Sequence, residues 1–130
     1  MFLGMSESEA NDTGWRGTNE GSKLAGRADL WNDGDLENNP QFGTSGFTGL
    51  PGGYRYNNGN FMFLANYGYF WSFTWHLSYT AWNRELHSFY SEVHRANRNK
   101  KIGCTVRLVR GLPENLSINS GENDKKTNSK

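Results

Sequence analysis

Gly68-Tyr69-Phe70-Trp71-Ser72-Phe73-Thr74-Trp75, followed four residues later by Thr80-Ala81-Trp82-Asn83-Arg84-Glu85-Leu86, is the part of the chain that decides the fold. Both runs are rich in aromatic residues and bounded by Asn, Gly and Ser, which predicts consecutive antiparallel strands joined by short loops. Upstream, Phe61 to Leu64 reads as a further strand. It is preceded by Asn57-Asn58-Gly59, a hairpin-turn signal, and by Gly49-Leu50-Pro51-Gly52-Gly53, where three glycines around a proline require tightly bent backbone. Downstream, Cys104, Val106 and Leu108 alternate with Thr105, Arg107 and Val109, the period of two expected of a half-buried strand over Gly103 to Arg110. Residues 87 to 102 are mostly His, Ser, Asn, Arg and Lys, and read as an exposed connection anchored at Val93.

The N-terminal third carries weaker signals. Ser6 followed by Glu9 is a capping-box spacing and predicts a short helix. A second helical turn is expected from Thr18 to Leu24, ending at Gly26, and turn-forming clusters make residues 26 to 46 a loop. From Glu114 to Lys130 there is no aromatic residue, so residues 113 to 130 read as a flexible polar tail behind a domain spanning 1 to 112.

At 130 residues the chain is the size of one domain. Aliphatic residues are few, but 19 aromatics, five of them Trp, can build a core, to which Trp71, Trp75 and Trp82 are assigned. No apolar run approaches the roughly 20 residues of a membrane helix, so no membrane span is expected. The start lacks the basic and apolar regions of a signal peptide. The net charge of +1 conceals an asymmetry: residues 1 to 40 hold eight acids against three bases, and residues 81 to 110 hold seven bases against two acids. The basic segment is where a ligand is expected.

Four blocks in order carry a family likeness: Phe47-Thr48-Gly49-Leu50-Pro51-Gly52-Gly53-Tyr54-Arg55; Gly68 to Thr74; Ala81 to Leu86; and Val93-His94-Arg95 with Gly103-Cys104-Thr105-Val106-Arg107. Together with Gly14 to Leu24 they resemble the Fibrobacter succinogenes major paralogous domain over about residues 1 to 110. The resemblance implies an α+β, C-type-lectin-like (formylglycine-generating-enzyme-like) fold with a twisted antiparallel sheet, long loops and few short helices. It also implies kinship with the variable proteins of diversity-generating retroelements, in which a fixed scaffold displays a changing C-terminal surface. Members of the family usually begin before Met1, so this chain is expected to hold the C-terminal half to two-thirds of the domain, completed by a missing N-terminal segment or a partner chain. Phe73 stands where the family commonly has a small serine.

On that reading Ala81, Arg84, Leu86, Val93, Arg95, Gly103, Val106 and Arg107 are scaffold. The displayed face is then Asn83, Glu85, His87, Phe89, Tyr90, His94, Ala96, Asn97, Arg98 and Asn99. Exposed Phe and Tyr give contact area at low entropic cost, and Asn, His and Arg add adaptable hydrogen bonds. The expected function is non-catalytic, adhesin- or receptor-like recognition of a protein or glycan, outside the cell or on a cell or phage surface. Arg84, Arg95 and Arg107 are expected to pair with acids of the first third, such as Glu20, Asp33 and Asp35.

Alternatives follow from the same residues. The arginines and lysines of 81 to 110 beside Phe89 and Tyr90 suit a nucleic-acid-binding groove. Catalysis of the formylglycine-generating kind needs paired cysteines, and Cys104 is alone, so no enzyme is expected. No cofactor is expected; Asp33, Asp35, Glu37, Asn38 and Asn39 cluster oxygen donors, which leaves calcium open without an EF-hand spacing.

Overall fold

The computed structural model describes residues 3 to 108. Two short helices open the chain, α1 (Glu7–Asn11) and α2 (Glu20–Leu24), with the three-residue strand β1 (Gly14–Arg16) between them. Half of the predicted capping box forms, the Ser6 hydroxyl accepting from the Glu9 N–H at 3.1 Å, while the Glu9 carboxylate accepts from the Gly17 N–H. Residues 26 to 46 are less irregular than expected, since they contain a 3-10 turn at Ala28–Leu30 and a one-turn helix, α3 (Asp35–Asn38). Then come the hairpin β2 (Tyr54–Arg55) and β3 (Phe61–Met62), turned through Asn57-Asn58-Gly59 as the sequence predicts, with Gly59 at φ +94°. Three long strands finish the described chain: β4 (Tyr67–Trp75), β5 (Thr80–His87) and β6 (Tyr90–Asn99).

The long strands and β1 form one antiparallel sheet in the order β1-β6-β5-β4. The molecule is thus mixed α+β, with antiparallel sheets and few short helices. Two expectations fail here. Residues 90 to 99 are not a connection but a ten-residue strand inside the sheet, although Val93 is its buried anchor. Conversely, the segment from Gly103 is not a regular strand: it touches the sheet through single bridges, Arg55 to Gly103 and Phe70 to Thr105, and Val106 and Leu108 are exposed rather than inward. Val109, Arg110 and the expected tail, 113 to 130, lie outside the described residues.

Cross-strand register sorts the side chains onto two faces. One face carries Phe70, Leu86 and Val93, which pack with Ala25, Trp31 and Leu36 into the core, flanked by Met5, Leu24, Phe42 and Phe47. Complete burial of leucines such as Leu36 and Leu86 contributes about 1.5–3 kcal/mol each. Helix α2 lies directly on β6 because Gly21 has no side chain; a Cβ there would sit 2.1 Å from the Glu92 carbonyl oxygen. The Ser22 hydroxyl then donates to the Leu36 carbonyl at 2.8 Å, and Leu36 N–H donates to Ser88, which locks α3 against the β5–β6 turn. Trp71 and Trp82 are only half-buried and stand outside this core, whose buried aromatic members among the described residues are Trp31 and Phe70; the side chain of Trp75, expected there too, lies outside what is described. Phe73 is fully exposed, at a register shift in the pairing between Trp71 and Trp75.

Candidate functional site

The opposite face of the sheet is where the expected site residues gather. Register places Ala81, Asn83, Glu85 and His87 of β5 beside Arg98, Ala96, His94 and Tyr90 of β6, with Trp15 of β1 next to His94 and Tyr67 and Tyr69 of β4 next to His87 and Glu85. Asn97 and Asn99, opposite Trp82 and Thr80, belong to the other face, and Phe89 projects from the β5–β6 turn. Seven of the ten expected residues therefore share one face, though not all are displayed. Asn83 and Glu85 are buried, at 0% and 2% exposure, and form the floor.

Glu85 is the electrostatic centre of that floor. Its Oε1 accepts from Arg98 Nε and lies 2.7 Å from Arg98 Nη2, while Oε2 lies 3.0 Å from His94 Nδ1. The hydrogen bond to Glu85 holds Arg98 above its ordinary range. Burial pushes the Tyr69 hydroxyl up, reinforced by the Glu85 charge. The same two causes raise the Cys104 thiol to about 12, so it stays protonated and unreactive near neutrality. Asn83 lies two residues before Glu85 with both side-chain amide atoms buried and unpartnered among the described residues.

Above the floor runs an unbroken line of rings. Trp15 lies 4.6 Å from Tyr90, Tyr90 5.3 Å from His87, and His87 4.1 Å edge-on to Tyr67. Tyr67 stacks on Tyr69 at 5.1 Å, and Tyr69 meets Tyr54 at the same separation. At that end a cavity of about 330 Å³ is lined by Tyr54, Tyr56, Phe63, Tyr69, Arg98, Asn99 and Ile102, so Asn99, though opposite Thr80 in register, also reaches the site. The left-handed φ of Phe63, +62°, belongs to its wall and marks backbone held in a sparsely populated conformation. At the other end Phe89 and Tyr90 are 58% and 45% exposed. Phe89 N–H donates to His87 Nδ1 at 3.0 Å, which ties the turn to the ring line. Burial lowers the His87 imidazole below its ordinary value.

Sequence reasoning missed Trp15, Tyr54, Tyr56, Phe63, Tyr67 and Tyr69. A usable signal was present in the i, i+2 pairs Tyr54/Tyr56 and Tyr67/Tyr69, which place two rings on one strand face. The expected scaffold arginines also behave differently from expectation. Arg84, Arg95 and Arg107 donate to the carbonyls of Asn83, Asn11, and Phe47 and Thr48, not to acids of the first third. Glu20 Oε2 accepts from the N–H groups of Thr18 and Asn19, and Asp33 from the Asn38 amide. Among the described residues no group of three or more His, Cys, Asp or Glu is gathered as a metal site would require. No helix of the described chain is long and apolar enough to cross a membrane.

The sequence pattern of the Fibrobacter succinogenes major domain matches residues 1–110, and the chain belongs to that family. No curated protein and no solved structure matches it.

Proposed function

We propose that this member of the Fibrobacter succinogenes major domain family is a non-catalytic ligand-binding module, adhesin- or receptor-like, built on a C-type-lectin-like scaffold. Its binding surface is the aromatic face of the sheet, from the Phe89–Tyr90 turn across His87 and Tyr67 to the tyrosine-lined cavity. The observation that carries this reading is the continuous ring line laid across hydrogen-bonded strands. Large aromatic contact area held rigid in advance loses little entropy on binding, and Asn, His and Arg at its borders supply directional hydrogen bonds. Protein and glycan ligands both suit such a surface, displayed outside the cell or on a cell or phage surface. The Cys104 thiol, alone and held protonated, supports a non-catalytic role.

The nucleic-acid reading has less support, because the arginines it needs are held within the fold: Arg98 by Glu85, and Arg95 by the Asn11 carbonyl and the Trp82 ring, 3.7 Å away. Diversification is a further part of the proposal. Sequencing the gene across one population should find substitutions confined to adenine positions in the codons of residues 78 to 102; changes spread evenly along the gene would remove it. For binding itself, replacing Phe89 and Tyr90 together by Ala should leave the melting temperature within about 2–4 °C of the parent, since both rings are largely exposed. Binding to arrayed glycans or a displayed peptide library should be lost. Unfolding would instead assign both rings to the core.

A further inference from the structure

The cavity at the tyrosine end of the ring line is walled by rings set at angles to one another. Tyr54 meets Tyr69 at 77° and Tyr56 at 72°, and tilts 36° from Phe63. Rings so placed make corners that hold a compact apolar ring, whereas a flat stack would suit a broad planar ligand. At about 330 Å³ the cavity stands at the small end of the ~300–1,000 Å³ range of ligand pockets.

Its hydrogen-bonding groups are unevenly sorted. The acceptors are mostly engaged within the fold. The carbonyls of Tyr56, Phe63, Tyr69 and Asn99 accept from Gly59, from Asn66 and Tyr67, from Thr105 and from Ile102 respectively. The Asn99 side-chain oxygen accepts from Lys101 N–H at 2.9 Å, and the Glu85 carboxylate is met by Arg98 and His94. Donors are the groups left over. Arg98 directs Nε and Nη2 at Glu85, and among the described residues its Nη1 and the Asn99 Nδ2 have no assigned acceptor. Burial, reinforced by the Glu85 charge, keeps the Tyr69 hydroxyl protonated. Arg98 is balanced by Glu85, so charge gives the cavity little by which to choose.

Such a wall discriminates among neutral ligands by their own donors. Each sugar hydroxyl or secondary amide brings a hydrogen that needs an acceptor, and leaving it unmet where water is displaced is costly. A prolyl residue brings a carbonyl acceptor, a compact apolar ring and no N–H. We infer that this cavity captures a prolyl ring of an extended, proline-rich peptide, seated among Tyr54, Tyr56 and Phe63 with the peptide's carbonyl oxygens accepting from Arg98 and Asn99. Polyproline II segments are formed in advance of binding, and aromatic-lined grooves are their usual seat. The cavity is part of the aromatic face, so its assignment rests on the function proposed for that face and narrows the ligand there to peptide.

The test titrates the full chain with a fluorescein-labelled proline peptide of about ten residues and a Gly-Ser peptide of equal length and label, followed by anisotropy, with unlabelled maltohexaose as the competing glycan. The proline peptide should bind saturably and at least about tenfold more tightly than the Gly-Ser peptide. Its affinity should move less than about twofold between about 0.05 and about 0.5 M sodium chloride. Asn99→Asp keeps the oxygen that serves Lys101 and removes the donor, and should weaken binding about fivefold; Tyr56→Ala should weaken it about tenfold. Should Tyr56→Ala fail to fold, the Asn99 side-chain amide signals of the parent chain decide by NMR, since they should shift with the proline peptide and not with Gly-Ser. Equal binding of the two peptides, displacement by maltohexaose at lower concentration than by unlabelled proline peptide, or undiminished affinity in a folded Asn99→Asp would each overturn the assignment. The Phe89 and Tyr90 double replacement separates the two readings. If library ligands depend on those rings while the proline peptide never binds, the aromatic face remains a binding surface and the prolyl site falls; if nothing binds at either end, both fall.

Discussion

The two faces of the sheet each hold buried charge next to aromatic rings, and they balance it in opposite ways. On the aromatic face a single carboxylate, Glu85, is met by Arg98 and by His94. On the core side Arg16, Arg84 and Arg95 stand together with carbonyl oxygens alone as assigned acceptors. The first arrangement is closed: its charges cancel inside the protein, and what it offers outward is the shape and polarity of the rings around it. The second is spread out: its cations rest on carbonyl dipoles, with Asp12 and Glu9 acting on Arg16 without a direct ion pair and Glu20 sharing a cavity wall with Arg16 and Arg84. A surface built over a neutral floor can select ligands by fit, whereas a cluster of like charges held by loosely placed partners is the part of the fold most exposed to changes in its electrostatic surroundings.

The largest expected effect tests how closed the first arrangement is. Arg98→Met leaves Glu85 buried with only His94 beside it and should destabilise the fold by about 3–5 kcal/mol in chemical denaturation. The converse, Glu85→Gln, should cost less, about 1–3 kcal/mol, because the Arg98 side chain is 41% exposed and can turn to water. Equal costs would mean that the pair is not held as described. Next in size is Asn83, whose amide is fully buried without a partner. Replacement by Leu, which has the same branched outline, should raise stability by about 1–3 kcal/mol; a loss would show that the site has no room for the bulkier methyl groups or that the amide is engaged within the fold.

The smallest effect concerns pH. Burial lowers the His87 pKa from its ordinary 6.5, so the unfolded chain takes up the proton first. The contribution of His87 to stability is therefore complete above about pH 6.5 and is lost as pH falls through that value toward the folded-state pKa. The melting temperature of the parent should fall more steeply than that of His87→Phe between about pH 7 and about pH 5. Parallel curves would mean that the imidazole gains and loses its proton alike in both states.

Local signals in the sequence were readable and long-range ones were not. Ser6 and Glu9, the Asn57-Asn58-Gly59 turn, and the aromatic runs of β4 and β5 each depend on neighbours a few residues away, and each takes the predicted form, the capping box through its Ser6 half. Strand β6 was invisible because its core-facing residues, Val93, Arg95 and Asn97, include a single apolar side chain, so period-two hydrophobicity has nothing to register. Gly103 to Leu108 shows the converse. Its alternation is regular, but a strand also requires a partner, and only isolated bridges at Gly103 and Thr105 supply one. Much of the site followed the same rule. The alternation of β5 put Asn83, Glu85 and His87 on one side correctly, but whether that side was covered depended on Tyr69, Arg98 and Trp15, which come from distant parts of the chain.

Strand β1 spans three residues and, among the described residues, pairs with β6 only from Val93 to Arg95. The outer edge of β6 beyond Ala96 consequently offers backbone donors and acceptors on a strand that has come to the rim of the sheet, the kind of margin along which copies of a chain zip together. What stands on that margin is Asn97, Arg98 and Asn99, with Lys100 and Lys101 directly after. Short polar amides and cations repel a second identical edge and keep the rim wet. Exchanging Asn97 and Lys101 for β-branched apolar residues would leave the fold's interior untouched and give this edge a surface along which copies of the chain can stack.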